Sequence, residues 1–499
     1  MYGGLPLAGI LANQLSQRRL APHGYCPVPI MPGLWKHDTK DVYFTLVVDD
    51  FGVKYTQRAD AEHLMHTLTQ VGYKVSEEWN GTRYCGFTLA WDYVNHHVTL
   101  SMPGYVERAL QRFRHPKPTR SEHSPHTWNH PYNGAKVQYS PDPDNSPFLD
   151  AANKKTDVQE VLGTFLFYAR AVDVTLLKAI GSLATQQPNP TETTMEGIVK
   201  LLNYAALHPD AKLRYHASGM ILWVDSDARY LSESKSRSKC AGYHFLSNQP
   251  RDPSKPPQLN DAEPMHNAPV HVMCTIMKEV VSVASEAELA GLFHNGKDAF
   301  PVRTCLAKLG HPQPPTPLKT DITTAEGHAD DTVKQKQSKA IDMRFCWIRD
   351  RVRQGQYHVY WRKADFNRAD YFTKHHSTRH HQNTRHEYLH QSNQARNENY
   401  YELLTPTEND DDAKDTLSAI QFAPDVQTCS FDSSMVCHID TVPSCEGVLI
   451  PGFPCIPDLQ SQDIGDVIES RLASKAAVAA ANCRSTARIQ ILTSPISSF

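Results

Sequence analysis

Short apolar runs alternate with polar turns through the first 110 residues. Tyr43-Phe44-Thr45-Leu46-Val47-Val48 predicts a buried strand and Phe51-Gly52-Val53-Lys54-Tyr55 its return strand, so Asp49-Asp50 falls on the turn between them. Over residues 61–71 the rhythm changes, and Leu64, Leu68 and Val71 share one helical face. Asp60 stands where an N-cap is expected and Gly72 where a helix stops. Residues 82–91 and 97–102 predict short strands. Residues 103–113 predict a helix with Pro103 in its first turn.

Residues 114–150 are rich in Pro, His and Asn and predict a linker. Two helices are expected next, over 158–186 and 192–208, separated by Asn189-Pro190-Thr191, with Thr191 capping the second. The most apolar run, 161–183, is interrupted by Arg170, Asp173 and Lys178. It predicts a buried amphipathic helix, since a membrane span needs about 20 predominantly apolar residues. Residues 155–211 form a helical connection on this reading, and 212–378 one α/β domain. That domain has a strand over 220–224 ending at Asp225, a partner strand over 241–246 and a Pro-rich insertion over 247–269. A third strand spans 270–283, followed by a helix over 286–295. Strands at 319–322 and 357–361 flank a helix over 340–353, and a last helix begins at 369–374. Beyond 379 the periodicity is lost, and 379–499 predicts a mostly disordered tail.

A chain of 499 residues allows two to four domains, and 40% hydrophobic residues are enough for packed cores in part of it. The net charge of −3 gives no global basic signature of nucleic-acid binding. Local groups could still neutralise phosphates: Lys235, Arg237 and Lys239 between two strands, and Lys334, Lys336, Lys339 and Arg344 around a helix. A solvated basic face accounts for them equally well. The 11 cysteines include no CxxC pair, and no charged and apolar leader opens the sequence, so an intracellular, reducing setting is expected. The histidines from His375 to His390 lack paired cysteines at finger spacing and do not predict a zinc site.

The candidate chemistry lies in four carboxylates: Asp225 after an apolar strand, Glu288 at the start of a helix, Asp321 after a second strand and Asp370 at the start of another helix. Hard divalent cations need several carboxylate oxygens converging on one point. Each of these residues alone would be a surface carboxylate, the common fate of Asp and Glu. Glu286 competes with Glu288, and Glu288 is preferred because the apolar Leu289 follows it.

Together with their surroundings these residues resemble the RNase H of copia-type LTR retrotransposons. The matching pieces are Asp225-Ser226-Asp227, Lys239-Cys240-Ala241-Gly242-Tyr243-His244-Phe245, Ser285-Glu286-Ala287-Glu288-Leu289, Thr320-Asp321-Ile322, Lys336-Gln337-Ser338-Lys339-Ala340-Ile341-Asp342-Met343-Arg344 and Ala369-Asp370-Tyr371-Phe372-Thr373-Lys374. Upstream, Gly4-Leu5-Pro6-Leu7-Ala8-Gly9, Val47-Val48-Asp49-Asp50 and Pro103-Gly104-Tyr105-Val106 resemble the later half of the matching reverse transcriptase. The sequence departs from the family at Val47, Leu289 and Ile322.

The resemblance implies a partial polymerase palm over 1–113 and a linker over 114–154, then an RNase H-like domain with a mixed five-stranded sheet and flanking helices. It implies that Asp225, Glu288, Asp321 and Asp370 hold two Mg²⁺ or Mn²⁺ ions and that the RNA strand of an RNA–DNA hybrid is hydrolysed. Asp49 and Asp50 would be inherited polymerase metal ligands. The upstream catalytic Asp and the fingers are missing, so polymerase activity is not expected of this chain alone. Expected partners are an RNA–DNA hybrid, intact Pol chains and retroelement particles in cytoplasm or nucleus, with no membrane. The alternative is a non-catalytic relic that at most binds nucleic acid.

Overall fold

The computed structural model describes residues 8–47, 50–128, 144–149, 152–252, 263–330, 343–390 and 487–491. Four strands, β1 (Tyr25–Val28), β2 (Met31–His37), β3 (Val42–Val47) and β4 (Asp50–Tyr55), pair antiparallel in chain order. Val47 pairs with Asp50, so Asp50 opens the return strand instead of lying on the turn, while Val48 and Asp49 lie outside the described residues. The sheet packs on α1 (Ala8–Leu20) and α2 (Arg58–Gln70), burying Leu20, Trp35, Phe44, Val53, Leu64 and Leu68 together. The expected capping role of Asp60 is corrected: α2 begins at Arg58, Gln57 precedes it with no side-chain cap, and Asp60 pairs with Lys40 at 3.5 Å. Just past the end of α2, Gly72 takes φ +89°, a left-handed conformation that glycine adopts without a Cβ penalty.

Strand β5 (Val75–Glu78) belongs to the same sheet but does not touch β4. The strand Ala487–Ile491 lies between the two, parallel to both. This five-residue strand falls within 379–499, the segment expected to be mostly disordered.

A second, antiparallel sheet joins β6 (Arg83–Tyr84), β7 (Phe87–Asp92), β8 (His97–Ser101) and β9 (Lys212–His216). Between β8 and β9 the chain forms α3 (Tyr105–Arg112), α4 (Ala152–Ala171), α5 (Leu177–Ala184) and α6 (Glu192–Leu207). The single helix expected over 158–186 is broken, because Asp173 turns its carboxylate onto the Thr175 backbone N–H at 3.2 Å and starts a new turn. Thr191 caps α6 as expected, in a reciprocal capping box with Thr194.

The third sheet has the order β12-β11-β10-β13-β14, formed by β10 (Ile221–Glu233), β11 (Arg237–Ser247), β12 (Pro269–Ile276), β13 (Thr316–Thr320) and β14 (Tyr357–Trp361). The first three strands are antiparallel, and β10, β13 and β14 run parallel to one another. Parallel neighbours need crossovers. The helix α7 (Ala284–Lys308) lies between β12 and β13, and α8 (Thr323–Ala329) with α9 (Trp347–Arg353) between β13 and β14. Side chains alternate across the sheet. Leu222 and Val224 pack with Leu289 and Leu292 of α7, whereas Trp223 and Tyr243 face the cluster built on α3–α6.

Several expected boundaries move. β10 runs on to Glu233 instead of ending before Asp225, β12 stops at Ile276, and α7 continues through Pro301 to Lys308. After α10 (Asp370–Thr373), residues expected in the tail form α11 (Thr378–Tyr388). Its end is pinned where the His390 N–H donates to the Lys212 carbonyl at 2.8 Å, and Tyr388 and Leu389 are buried. The fold is mixed α/β, with three sheets and eleven α-helices among the described residues. None of those helices is long and apolar enough to cross a membrane.

Candidate metal centre

Three elements bring carboxylates to one point. The period-two alternation of β10 sets Asp225 and Asp227 on the face shared with Trp223, while Ser226 and Ala228 meet Gly291 of α7. β13 runs parallel beside β10 and ends at Thr320, so Asp321 emerges just past its end. Glu288 lies in the buried face of α7, and its Oε1 accepts the Ala228 backbone N–H at 3.0 Å. One carboxylate oxygen each from Asp227, Glu288 and Asp321 lies within 4.8 Å of the others. Of the expected set, the structure brings together Glu288 and Asp321, with Asp227 completing the group in place of Asp225.

Asn295 was not foreseen, and it fastens this arrangement. Its Nδ2 donates to Ser226 Oγ at 3.0 Å, the Ala241 carbonyl at 2.8 Å and the Gly291 carbonyl at 3.0 Å. Its Oδ1 shares a hydrogen bond with His244 Nε2 at 3.0 Å. One side chain thus ties α7 to both β10 and β11 behind the carboxylates. A buried asparagine on an apolar helix face was the sequence signal available. Glu286, the rival of Glu288, accepts from Ser282 N at 2.6 Å and Ser282 Oγ at 2.8 Å, and so holds the start of α7.

The cluster is electrostatically loaded. Burial pushes Asp227 up to about 7, with the charges of Asp370 and Asp321 adding to the rise. Burial raises Glu288 well above the usual carboxylate range, helped by Asp227 and Asp321. Asp321 is raised by burial and by Asp370. Asp227 Oδ2 accepts a hydrogen bond from Thr373 Oγ1 at 2.6 Å. Glu288 Oε2 and Asp321 Oδ1, by contrast, are buried without a hydrogen-bond partner. Leaving a buried polar atom unsatisfied costs about 1–3 kcal/mol, and more for a charged one. A cation seated among these oxygens removes that cost.

Asp225 lies outside this triad. It is fully buried, its Oδ1 lies 3.1 Å from Lys319 Nζ, and its Oδ2 accepts the Arg368 N–H at 3.1 Å. Burial raises its carboxyl, and Lys319 opposes that rise. Lys319 also reaches Glu263 at 3.2 Å and the Phe366 carbonyl at 2.8 Å, and Arg362 pairs with Glu263 at 3.0 Å. Asp225 belongs to this buried ionic network. Asp370 is half-buried at the rim, close enough to raise Asp227 and Asp321, and its Oδ1 pairs with Lys374.

The expected phosphate contacts divide. Lys235 and Arg237 are exposed at the turn from β10 to β11. Lys239 is corrected: it is 0% exposed and faces Glu233 at 3.7 Å, out of reach of any backbone phosphate. Lys334, Lys336 and Lys339 lie outside the described residues, as does the side chain of Arg344. Asp50 stands in the first sheet, far in topology from the acidic cluster, and Asp49 lies outside the described residues. His381 is buried between Tyr204 and Tyr371, with hydrogen bonds of 2.7 and 2.5 Å to their hydroxyls.

No known family model matches the chain, and no curated protein matches it.

Proposed function

We propose that this chain hydrolyses the RNA strand of RNA–DNA hybrids, using Asp227, Glu288 and Asp321 as metal ligands with Asp370 at the rim. The observation that carries this reading is the buried triad whose Glu288 and Asp321 each leave a carboxylate oxygen without a partner. All-oxygen donor sets suit Mg²⁺ or Mn²⁺. Two such ions, when bound, activate water and stabilise the leaving oxygen. The order and parallel crossovers of the third sheet fit an RNase H-like domain, and the hairpin β3–β4 fits part of a reverse-transcriptase palm.

The protein's own residues hold and orient. Thr373 and the Ala228 N–H fix one oxygen each of Asp227 and Glu288, leaving the others to face the ion. Asn295 keeps α7, and with it Glu288, against β10. Because Asp227 is raised to about 7, it must release its proton before it ligates, so ion loading is favoured by rising pH. Exposed Lys235 and Arg237 are available to backbone phosphates.

The test is digestion of an end-labelled RNA–DNA hybrid by the full chain in Mg²⁺, beside single-stranded RNA and duplex DNA. Hybrid-selective cutting that EDTA stops is expected. A folded chain that binds Mn²⁺ and leaves the hybrid intact contradicts the proposal and makes the non-catalytic reading the better one.

A further inference from the structure

We infer that Arg229 is a phosphate-binding residue of this site, gripping the substrate strand beside the bond that is cut. The inference rests on the reading above that the acidic cluster faces a phosphodiester. The regular pairing of β10 with β11 extends to Arg229, which stands opposite Lys239. Asp225, Asp227 and Arg229 therefore follow one another on one face of β10. The guanidinium is half-buried and feels the charges of Asp370, Asp227 and Glu233, yet its Nε is buried without a hydrogen bond.

The neighbouring charges are already engaged. Glu233 is taken by Lys178 at 2.6 Å and lies 3.7 Å from Lys239. Lys374 pairs with Asp370. Asp227 is directed to Thr373 and into the triad. A guanidinium presents a planar fork of donors that matches two oxygens of a phosphate, and it stays charged when half-buried. The phosphodiester gains negative charge during hydrolysis, and a fixed cation beside it stabilises that growth.

The test measures binding of a fluorescein-labelled RNA–DNA hybrid to the full chain across a salt series. Ca²⁺ replaces Mg²⁺ in the binding assay, and cutting is followed separately in Mg²⁺. Arg229→Gln is expected to weaken binding about tenfold, a change of about 1.4 kcal/mol. It should also reduce the slope of log affinity against log salt by about 0.9, the share of one phosphate contact. Arg229→Lys should restore the slope and keep the Mn²⁺ affinity, and Arg229→Gln should not weaken Mn²⁺ binding, because it removes a positive charge beside Asp227 and Asp370. An Arg229→Gln protein with wild-type affinity and slope overturns the inference, as does one whose only change is a lower melting temperature. Wild-type protein that binds the hybrid with an Arg229-dependent slope but never cuts it refutes the hydrolase reading and leaves Arg229 standing. Wild-type cutting that is indifferent to Arg229→Gln refutes Arg229 alone. Failure of the wild type to bind the hybrid refutes both.

Discussion

Asp225 and Asp227 are the same side chain two positions apart on one strand face, and their surroundings give them opposite tasks. Asp225 forms an ion pair with Lys319 and accepts the Arg368 N–H at once. Asparagine has a single acceptor oxygen, so Asp225→Asn must turn an NH₂ toward a donor. We expect it to lower stability by about 3 kcal/mol, the scale of breaking a buried ion pair, while Mn²⁺ affinity in the folded fraction is kept. Urea unfolding and a Mn²⁺ titration read the two effects separately. The carboxyls of the triad also set a pH signature. Asp227 is raised to about 7 and Glu288 is raised too, so their contribution to stability is full below the unfolded carboxylate range and is lost as pH rises through about 7. A bound divalent ion reverses the loss. The rise in melting temperature on adding Mg²⁺ should therefore be larger at about pH 8 than at about pH 5.5, and equal shifts would contradict it. Glu288 and Asp321 were legible in the sequence, because apolar neighbours and strand ends mark them. Asp227 was not, since period-two alternation gives it the same face as Asp225. Only Lys319 and Arg368, about 90 and 140 positions away in the sequence, separate the two.

At the scale of elements, the metal centre depends on how closely α7 lies on β10 and β11. Asn295 occupies the space beside Gly242, where an added Cβ would sit 1.7 Å from Asn295 Oδ1. Gly242→Ala should therefore cost about 3 kcal/mol by overpacking. Asn295→Ala should cost about 2–3 kcal/mol by orphaning its partners. Both are read by urea denaturation, and Asn295→Ala should also weaken Mn²⁺ binding because Glu288 loses its anchor. A variant with unchanged stability and metal affinity would show that α7 is held by its apolar contacts alone. Most elements of the third sheet were readable from their apolar rhythm. Their lengths were not: β10 continues through polar residues because β11 pairs with it to Arg229 and, past a register shift, again at Glu233, and α7 continues through Pro301 because the turns on either side are packed. The break at Asp173 was hidden by the apolar run around it, and comes from a local side-chain bond that periodicity does not register.

At the scale of the whole molecule, the chain returns to its own beginning. Ala487–Ile491 joins β4 to β5, and α11 closes over the helical cluster. Neither was legible, because a short strand gains its identity from the edges that accept it, and those edges lie hundreds of residues earlier in the chain. Ile489→Pro removes a ladder donor between two paired strands. Amides of β4 and β5 should then exchange with solvent faster, while those of β13 and α7 keep their protection. The acidic cluster and the β4–β5 edges belong to different sheets, so the cluster can be tested in the intact chain. The most direct measurement is cleavage of a labelled RNA–DNA hybrid in Mg²⁺ by the full-length wild type, Asp227→Asn and Asp225→Asn, each normalised to its folded fraction. Removing even an outer partner of a metal ligand costs 10–100-fold, so loss of a ligand should cost at least about 100-fold. The account predicts that loss for Asp227→Asn and retained cutting for Asp225→Asn. Cutting that survives in Asp227→Asn and disappears in Asp225→Asn would contradict it.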